Sequence, residues 1–295
     1  MGGKPHRLIV IGDVGVDLVL GPIAEWPRVG TEALVERSEL RAGGSAGNAA
    51  LAVSYLGGHS QLLSVVGNDE PGAWLRGQLQ PLGAMLAVCD APTTLSVGLI
   101  HSCGERTFFT TRGHLEAFSY EVLRPLIPPA PGASSIALLS GVFLTPALHP
   151  AYPLLIRELR SLGYDVALDT NWPPQGWSAA LRAEVASWVS ASDHVLLNDL
   201  EVRSLTDTTD LTAAIERLAS LLKPGATLAV KTGAGDSFNA GYLLARLDGA
   251  GLAEALAAGC RAASAIIARF PRRSIAAGDL TELRARSPQG ALEPV

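Results

Sequence analysis

The chain has 295 residues, 48% of them hydrophobic and 17% charged, enough to bury one large core or, at about 150 residues per domain, two, which excludes disorder as its main state. With 23 Lys and Arg against 28 Asp and Glu, a formal net charge of −5 and no dense basic block, binding to nucleic acid or to a membrane surface is not expected. No apolar run approaches the ~20 residues of a membrane span, no signal peptide precedes the first strand-like run, and three widely spaced cysteines (Cys89, Cys103, Cys260) without a CxxC pair read as reduced thiols of a cytoplasmic protein.

Leu8–Gly12 is a short apolar run that ends in Gly-Asp, the pattern of a buried parallel strand with polar groups at its carboxyl end. Gly43-Gly44 opens a predicted helix over Ala46–Leu56, stopped by Gly57-Gly58. A strand at Leu62–Val66 and a helix from Pro71 to Leu82, closed by Pro81, follow. Ala33–Arg41 and Leu95–Thr111 carry charged and β-favouring residues, with Ser102–Glu105 as a hairpin turn between Val97–His101 and Arg106–Thr110, so both stretches predict a small accessory sheet. From Ile136 the alternation is regular. Strands at Ile136–Leu139, Val166–Leu168, His194–Leu197 and Thr227–Val230 alternate with helices near His149–Leu162, Ser178–Ser190 and Leu211–Leu222. Two helices close the series, Asp236–Leu247 and Leu252–Ala268, the second with an apolar stripe of Leu252, Leu256, Cys260, Ala263 and Ile267 in which Cys260 is expected to pack. Such alternation implies a parallel sheet covered by helices on both faces.

Four polar motifs carry chemistry, two of them Gly-rich helix entries and two at the carboxyl edge of the sheet, where open α/β sheets bind ligands. Gly233-Ala234-Gly235-Asp236 opens a helix, and its backbone N–H groups at the positive end of the helix dipole form a ready anion site. A carboxylate in that place makes sense if Asp236 takes a proton from a hydroxyl while the N–H groups hold developing phosphoryl charge. Alone, the same turn also reads as a helix start with an acidic first-turn residue. Gly43-Gly44-Ser45-Ala46-Gly47-Asn48 is a second Gly-rich helix entry; it misses the GxGxxG spacing, and no acidic residue closes a following strand, so a dinucleotide site is not expected. Asn198 and Glu201 place an amide and a carboxylate after a strand, able to hold Mg²⁺ through water or, equally, to serve as a helix cap and an exposed first-turn residue. Asp169-Thr170-Asn171 is a further cluster at the same edge.

Taken together with Gly12-Asp13, Asp17, Gly67-Asn68-Asp69 with Gly72, and Gly104-Glu105-Arg106-Thr107, these motifs make the chain resemble the ribokinase-like (PfkB) carbohydrate kinases over nearly its whole length. The resemblance implies a three-layer α/β/α kinase domain spanning 1–295, with a small β-sheet lid from roughly 14–41 and 96–112. It implies transfer of the γ-phosphoryl group of ATP to a hydroxyl of a small sugar or sugar acid, with ATP and Mg²⁺ as cosubstrates. By position, Asp236 would be the base and Gly233, Ala234 and Gly235 the anion hole. Asp17, Gly43, Gly44, Asn48 and Arg106 would bind the acceptor; Asn198, Glu201 and Asn239 would serve the nucleotide, Glu201 reaching Mg²⁺ through water. It also allows a homodimer through the lid.

One departure stands out. Members of the family run through further strands between the motif matching Thr227–Val230 and the GAGD turn, whereas here Lys231 abuts Thr232. Val230 and Lys231 stand where the family has Asp and Thr, so a carboxylate that helps hold a monovalent cation has no counterpart. The expectation is therefore a folded chain with a shortened sheet edge and weak turnover. Two alternatives remain beside an ordinary sugar kinase: a sugar-binding or regulatory member lacking a complete nucleotide site, and a nucleoside kinase.

Overall fold

Strand and helix periods sort most of the chain into alternating elements. The computed structural model describes residues 7–132, 134–231 and 235–267. In chain order these hold β1 (Leu8–Gly12), β2 (Gly15–Ile23), β3 (Arg37–Gly43), α1 (Ser45–Tyr55), β4 (Gln61–Gly67), α2 (Glu70–Leu79), β5 (Met85–Cys89), β6 (Leu95–His101), β7 (Arg106–Thr110) and a short α3 (Tyr120–Leu123). Next come β8 (Ser135–Ser140), α4 (Tyr152–Ser161), β9 (Tyr164–Asp169), α5 (Ala179–Ala191), β10 (His194–Asn198), α6 (Asp199–Thr206), α7 (Leu211–Ala219), β11 (Thr227–Lys231), α8 (Gly235–Leu247) and α9 (Leu252–Ile267).

Seven strands form one sheet in the order β11-β10-β9-β8-β1-β4-β5, every neighbouring pair parallel. Both faces are covered, which is why its strands read as unbroken apolar runs. In β1, Leu8 and Val10 face a layer containing α1, α2, α8 and α9, while Ile9 and Ile11 face one built from α3 to α7. The result is the expected α/β/α arrangement. A second, four-stranded sheet in the order β3-β2-β6-β7 stands apart; β3, β6 and β7 come from the two stretches whose composition differs, whereas β2 lies ahead of both. Within it β2 runs parallel to β6, and β2–β3 and β6–β7 are antiparallel.

Local signals explain most boundaries. In α4 the predicted stripe is buried at Tyr152, Leu155, Ile156 and Leu159, although His149–Ala151 is a 3-10 turn ahead of the α-helix. Pro81 acts as expected: α2 ends at Leu79, and Gln80–Leu82 is a 3-10 turn. α9 follows the foreseen stripe only in part: Leu256 and Ala263 pack half-buried against the core, Leu252 and Cys260 do not, and the Ile267 side chain lies outside those described. The buried face of α9 is Ala255, Gly259, Ala262, Ala265 and Ile266, with Leu252 42% exposed and Cys260 exposed instead of packed. Close approach to α8 is the reason. A Cβ on Gly241 would lie 2.6 Å from the Ala262 side chain, and one on Gly259 would lie 2.7 Å from the Phe238 ring, so small residues win that contact over larger apolar ones.

Two histidines inside the structure are tied as neutral rings. His114 is fully buried; its Nδ1 accepts from the Thr94 N–H at 2.9 Å, and its Nε2 donates to the Val14 carbonyl at 3.1 Å. A proton on Nδ1 would oppose two N–H donors. His194 shares a small network with Thr227 and Tyr242. Burial lowers both rings from 6.5 to about 4.

The unfolded chain therefore takes up these protons first as the pH falls. Stability contributed by the neutral rings is complete above pH 6.5 and is lost as the pH falls through 4, about 3 kcal/mol for each ring. Asp13, whose carboxyl is raised to about 6, acts in the opposite sense, so parent and variant must be compared. His114→Gln should melt lower than the parent at pH 7.5 but lose less Tm between pH 6.5 and 4.5. Equal slopes in the two melts would show that His114 does not titrate in that window.

Candidate active site

A cleft of about 1360 Å³ lies between the carboxyl edge of the large sheet and the small sheet. Its wall begins where β1 ends. Asp13, 2% exposed, turns its Oδ1 onto the N–H groups of Ser45 and Ala46, at 2.9 and 3.2 Å, and so caps α1 from a neighbouring strand. That arrangement needs Gly44, which has φ 82° and whose Cβ would strike the Asp13–Val14 backbone. Burial raises the Asp13 carboxyl to about 6 against the pull of those two N–H groups, with the charge of Asp17 adding to the rise.

Asp17 projects from β2 and is 6% exposed. Across the antiparallel ladder it pairs in register with Arg41, whose Nε lies 3.6 Å from Asp17 Oδ2 and whose Nη1 lies 3.6 Å from Glu39 Oε2. Gly43 leaves the space that the Asp17 carboxyl fills, because any Cβ there would overlap that group. Asn48, on the first turns of α1, and Arg106, opening β7, line the same cleft. Apolar side chains of Phe108, Phe143 and Trp172 also line the cleft.

The floor is the start of α8, where Gly235, Asp236 and Ser237 line the cleft. Gly233 and Ala234, predicted as parts of the anion hole, lie outside the described residues. Behind the floor is a buried polar cluster. Lys231 ends β11 with its side chain only 4% exposed, Nζ 2.5 Å from Asp169 Oδ2 and 3.0 Å from Asn239 Oδ1. Asn239 donates its amide to the same Asp169 oxygen, while Asp169 Oδ1 has no hydrogen-bond partner among the described residues. Removing one member of such a buried ion pair typically costs 3–5 kcal/mol, on the order of half a domain's stability.

Asn198 and Glu201 form a capping box at the start of α6: the Glu201 N–H donates to Asn198 Oδ1 at 2.8 Å, and the Asn198 N–H to Glu201 Oε2 at 2.9 Å. The helix-cap alternative for Asn198 is thus realised, but the exposed place foreseen for Glu201 in that alternative is not. Glu201 is 3% exposed, and burial raises its carboxyl to about 7, with Asp169 adding and Lys231 opposing.

This donor set fits a protein-held Mg²⁺ poorly. One Glu201 oxygen is committed to the cap, and among the described residues no group of three or more His, Cys, Asp or Glu converges on a metal position. Of the residues singled out from sequence, the cleft gathers Asp17, Gly44, Asn48, Arg106, Gly235 and Asp236, with Gly43 directly behind Asp17. Asn198, Glu201 and Asn239 do not line it; their side chains make the cap and the buried cluster. Sequence reading gave no role to Lys231 in this cluster and none to the Asp13 cap. For both, the available signal was a charged residue at or just past the end of an apolar strand, which demands a partner when it is buried.

The chain matches the pfkB family carbohydrate kinase profile over residues 6–232 and 231–273, two stretches that meet at Lys231–Thr232. Its fold is similar to that of a probable sugar kinase from Rhizobium etli CFN 42, with a TM-score of 0.76 and 19% identity, covering 96% of this chain and 99% of that one. It is similar to an adenosine kinase from Sinorhizobium meliloti, with a TM-score of 0.73 and 21% identity over 96% and 100% of the two chains. It is similar as well to an Arabidopsis thaliana ribokinase complexed with ribose and ATP, with a TM-score of 0.69 and 19% identity over 96% and 99%. With the profile matched along most of its length, the chain belongs to the pfkB family of carbohydrate kinases.

Proposed function

We propose that the chain transfers the γ-phosphoryl group of ATP to a hydroxyl of a small sugar or sugar acid bound against Asp17. What supports this reading most is that Asp17, Asn48 and Arg106 line the same cleft as Asp236. A polyhydroxylated acceptor suits carboxylate and amide groups that accept and donate together. Asp236 takes the hydroxyl proton as the new O–P bond forms, and the bond between γ-phosphorus and the bridging oxygen breaks to release ADP. N–H groups at the start of α8 meet the charge that spreads over the transferred group. Mg²⁺ would enter with the nucleotide rather than on a site built from Glu201, and would offset the charge of the phosphates. The small sheet serves as the lid, carrying Asp17 and Arg106 to the acceptor. Half-exposed Trp26 and Phe109, whose rings meet at a tilt on that sheet, suit self-association through it.

A second reading draws on a separate observation. Among the described residues β11 is the edge of the large sheet, and the family profile is matched in two stretches meeting at its end. With less chain to cover a nucleotide, the protein would bind sugar and turn it over poorly. ATP-dependent phosphorylation over a panel of sugars, sugar acids and nucleosides separates the two. Turnover at ~1–100 s⁻¹ with any acceptor supports the kinase; sugar binding without such turnover supports the second reading. No turnover and no sugar binding would sink both.

Asp236→Asn should lower kcat by about 10²–10⁴-fold with acceptor affinity little changed. Equal turnover in variant and parent would remove Asp236 from the reaction. Gly43→Ala adds one methyl group where the Asp17 carboxyl lies, so it should raise the acceptor KM or Kd by about 10²-fold and leave ATP binding alone. Calorimetry showing parental sugar affinity in a folded Gly43→Ala protein would refute the placement of the acceptor at Asp17.

A further inference from the structure

Lys231 is held from both ends of one helical turn. Its ammonium donates to Asn239 Oδ1 at 3.0 Å, and a Cβ built on Gly235 would stand 3.0 Å from the same nitrogen, so it packs against the backbone of the first residue of α8. Asp169, at the end of β9, anchors the ammonium from below at 2.5 Å. Between Gly235 and Asn239 in the same turn lies Asp236, facing the cleft.

A buried ammonium at the positive end of a helix is unfavourable twice over, through lost hydration and through the dipole. An apolar pair in place of Lys231 and Asp169 would fill the same volume without either cost. What the ammonium adds is direction, since its N–H groups reach two different elements at once and draw the start of α8 onto the sheet.

We propose that Lys231 is a positioning residue for phosphoryl transfer: its ammonium, tied to Asp169 and Asn239 and lying against Gly235, fixes the first turn of α8 and so sets Asp236 at the cleft floor. The proposal rests on the kinase reading above. A Lys231 side chain of another length or charge would let that turn shift, and a displacement of about 1 Å at the reacting group can cost about 10²-fold in rate.

Lys231→Met alone strands the Asp169 carboxylate, so the informative protein is the double variant Lys231→Met with Asp169→Asn, which keeps the charge balance. Expected is a folded protein whose kcat falls by about 10–100-fold while the acceptor KM changes by less than about threefold. Amide exchange in the first turns of α8 should quicken by about tenfold or more. In Lys231→Ala, propylammonium returns the missing atoms and should recover part of the lost kcat and of the lost protection; this variant carries both readouts if the double variant does not fold. Parental kcat with parental exchange overturns the proposal, as does a loss of kcat with exchange unchanged or a loss that propylammonium cannot relieve. If the parent phosphorylates nothing in the panel, the kinase reading has failed on its own, and the exchange measurement alone decides whether Lys231 holds the turn.

Discussion

Carboxylates taken out of water at the carboxyl ends of parallel strands are the constraint around which this molecule is organised, because an ionised oxygen without hydration must meet N–H groups or a cation. Asp13, beyond β1, is met by the first amides of α1. Asp169, at the end of β9, is met by the Lys231 ammonium and the Asn239 amide. Glu201, beyond β10, is met by the backbone of its own cap. Each solution ties a strand end to the start of a helix. In this way the same edge that collects polar side chains is also stiff enough to hold them in place.

Asp13 links this edge to the small sheet. The chain passes from β1 to β2 through Asp13 and Val14; the Val14 carbonyl accepts from His114, and the His114 ring also takes the Thr94 N–H just ahead of β6. One imidazole therefore joins three segments where the chain leaves and re-enters the large sheet. Asp17 stands three residues beyond Val14 on β2, so its position over the cleft is inherited from that junction together with its ladder pairing to Arg41.

The α/β/α layering was legible because buried parallel strands are apolar throughout and their helices carry stripes such as that of α4. Packing between α8 and α9 was not, since a sequence stripe ranks residues by apolarity whereas the contact selected Gly and Ala for closeness. β5 went unrecognised: at the sheet edge it is only partly buried, and Met85 to Cys89 shows neither clean alternation nor a strong bound. In the cleft, Asn48 and Asp236 could be read because each directly follows a glycine near the start of a helix, and Asp17 because it lies just past the polar end of the first apolar run. Glu201 shows the limit. Its spacing from Asn198 is equally that of a capping box and of a ligand pair, and only tertiary burial distinguishes them.

The order of strands also sets a timetable for synthesis. Of the described strands β1 is made first, and it sits near the centre of the sheet, where Leu8 pairs with Ile136 and Gly12 with Ser140. At ~5–20 residues per second, the ribosome needs on the order of ten seconds after making β1 to deliver β8. During that interval an apolar strand has one edge without its native neighbour, and its pairings are among those of long sequence separation that slow folding most. A nascent chain of this protein thus carries an apolar strand without its full set of native neighbours well before the cleft exists.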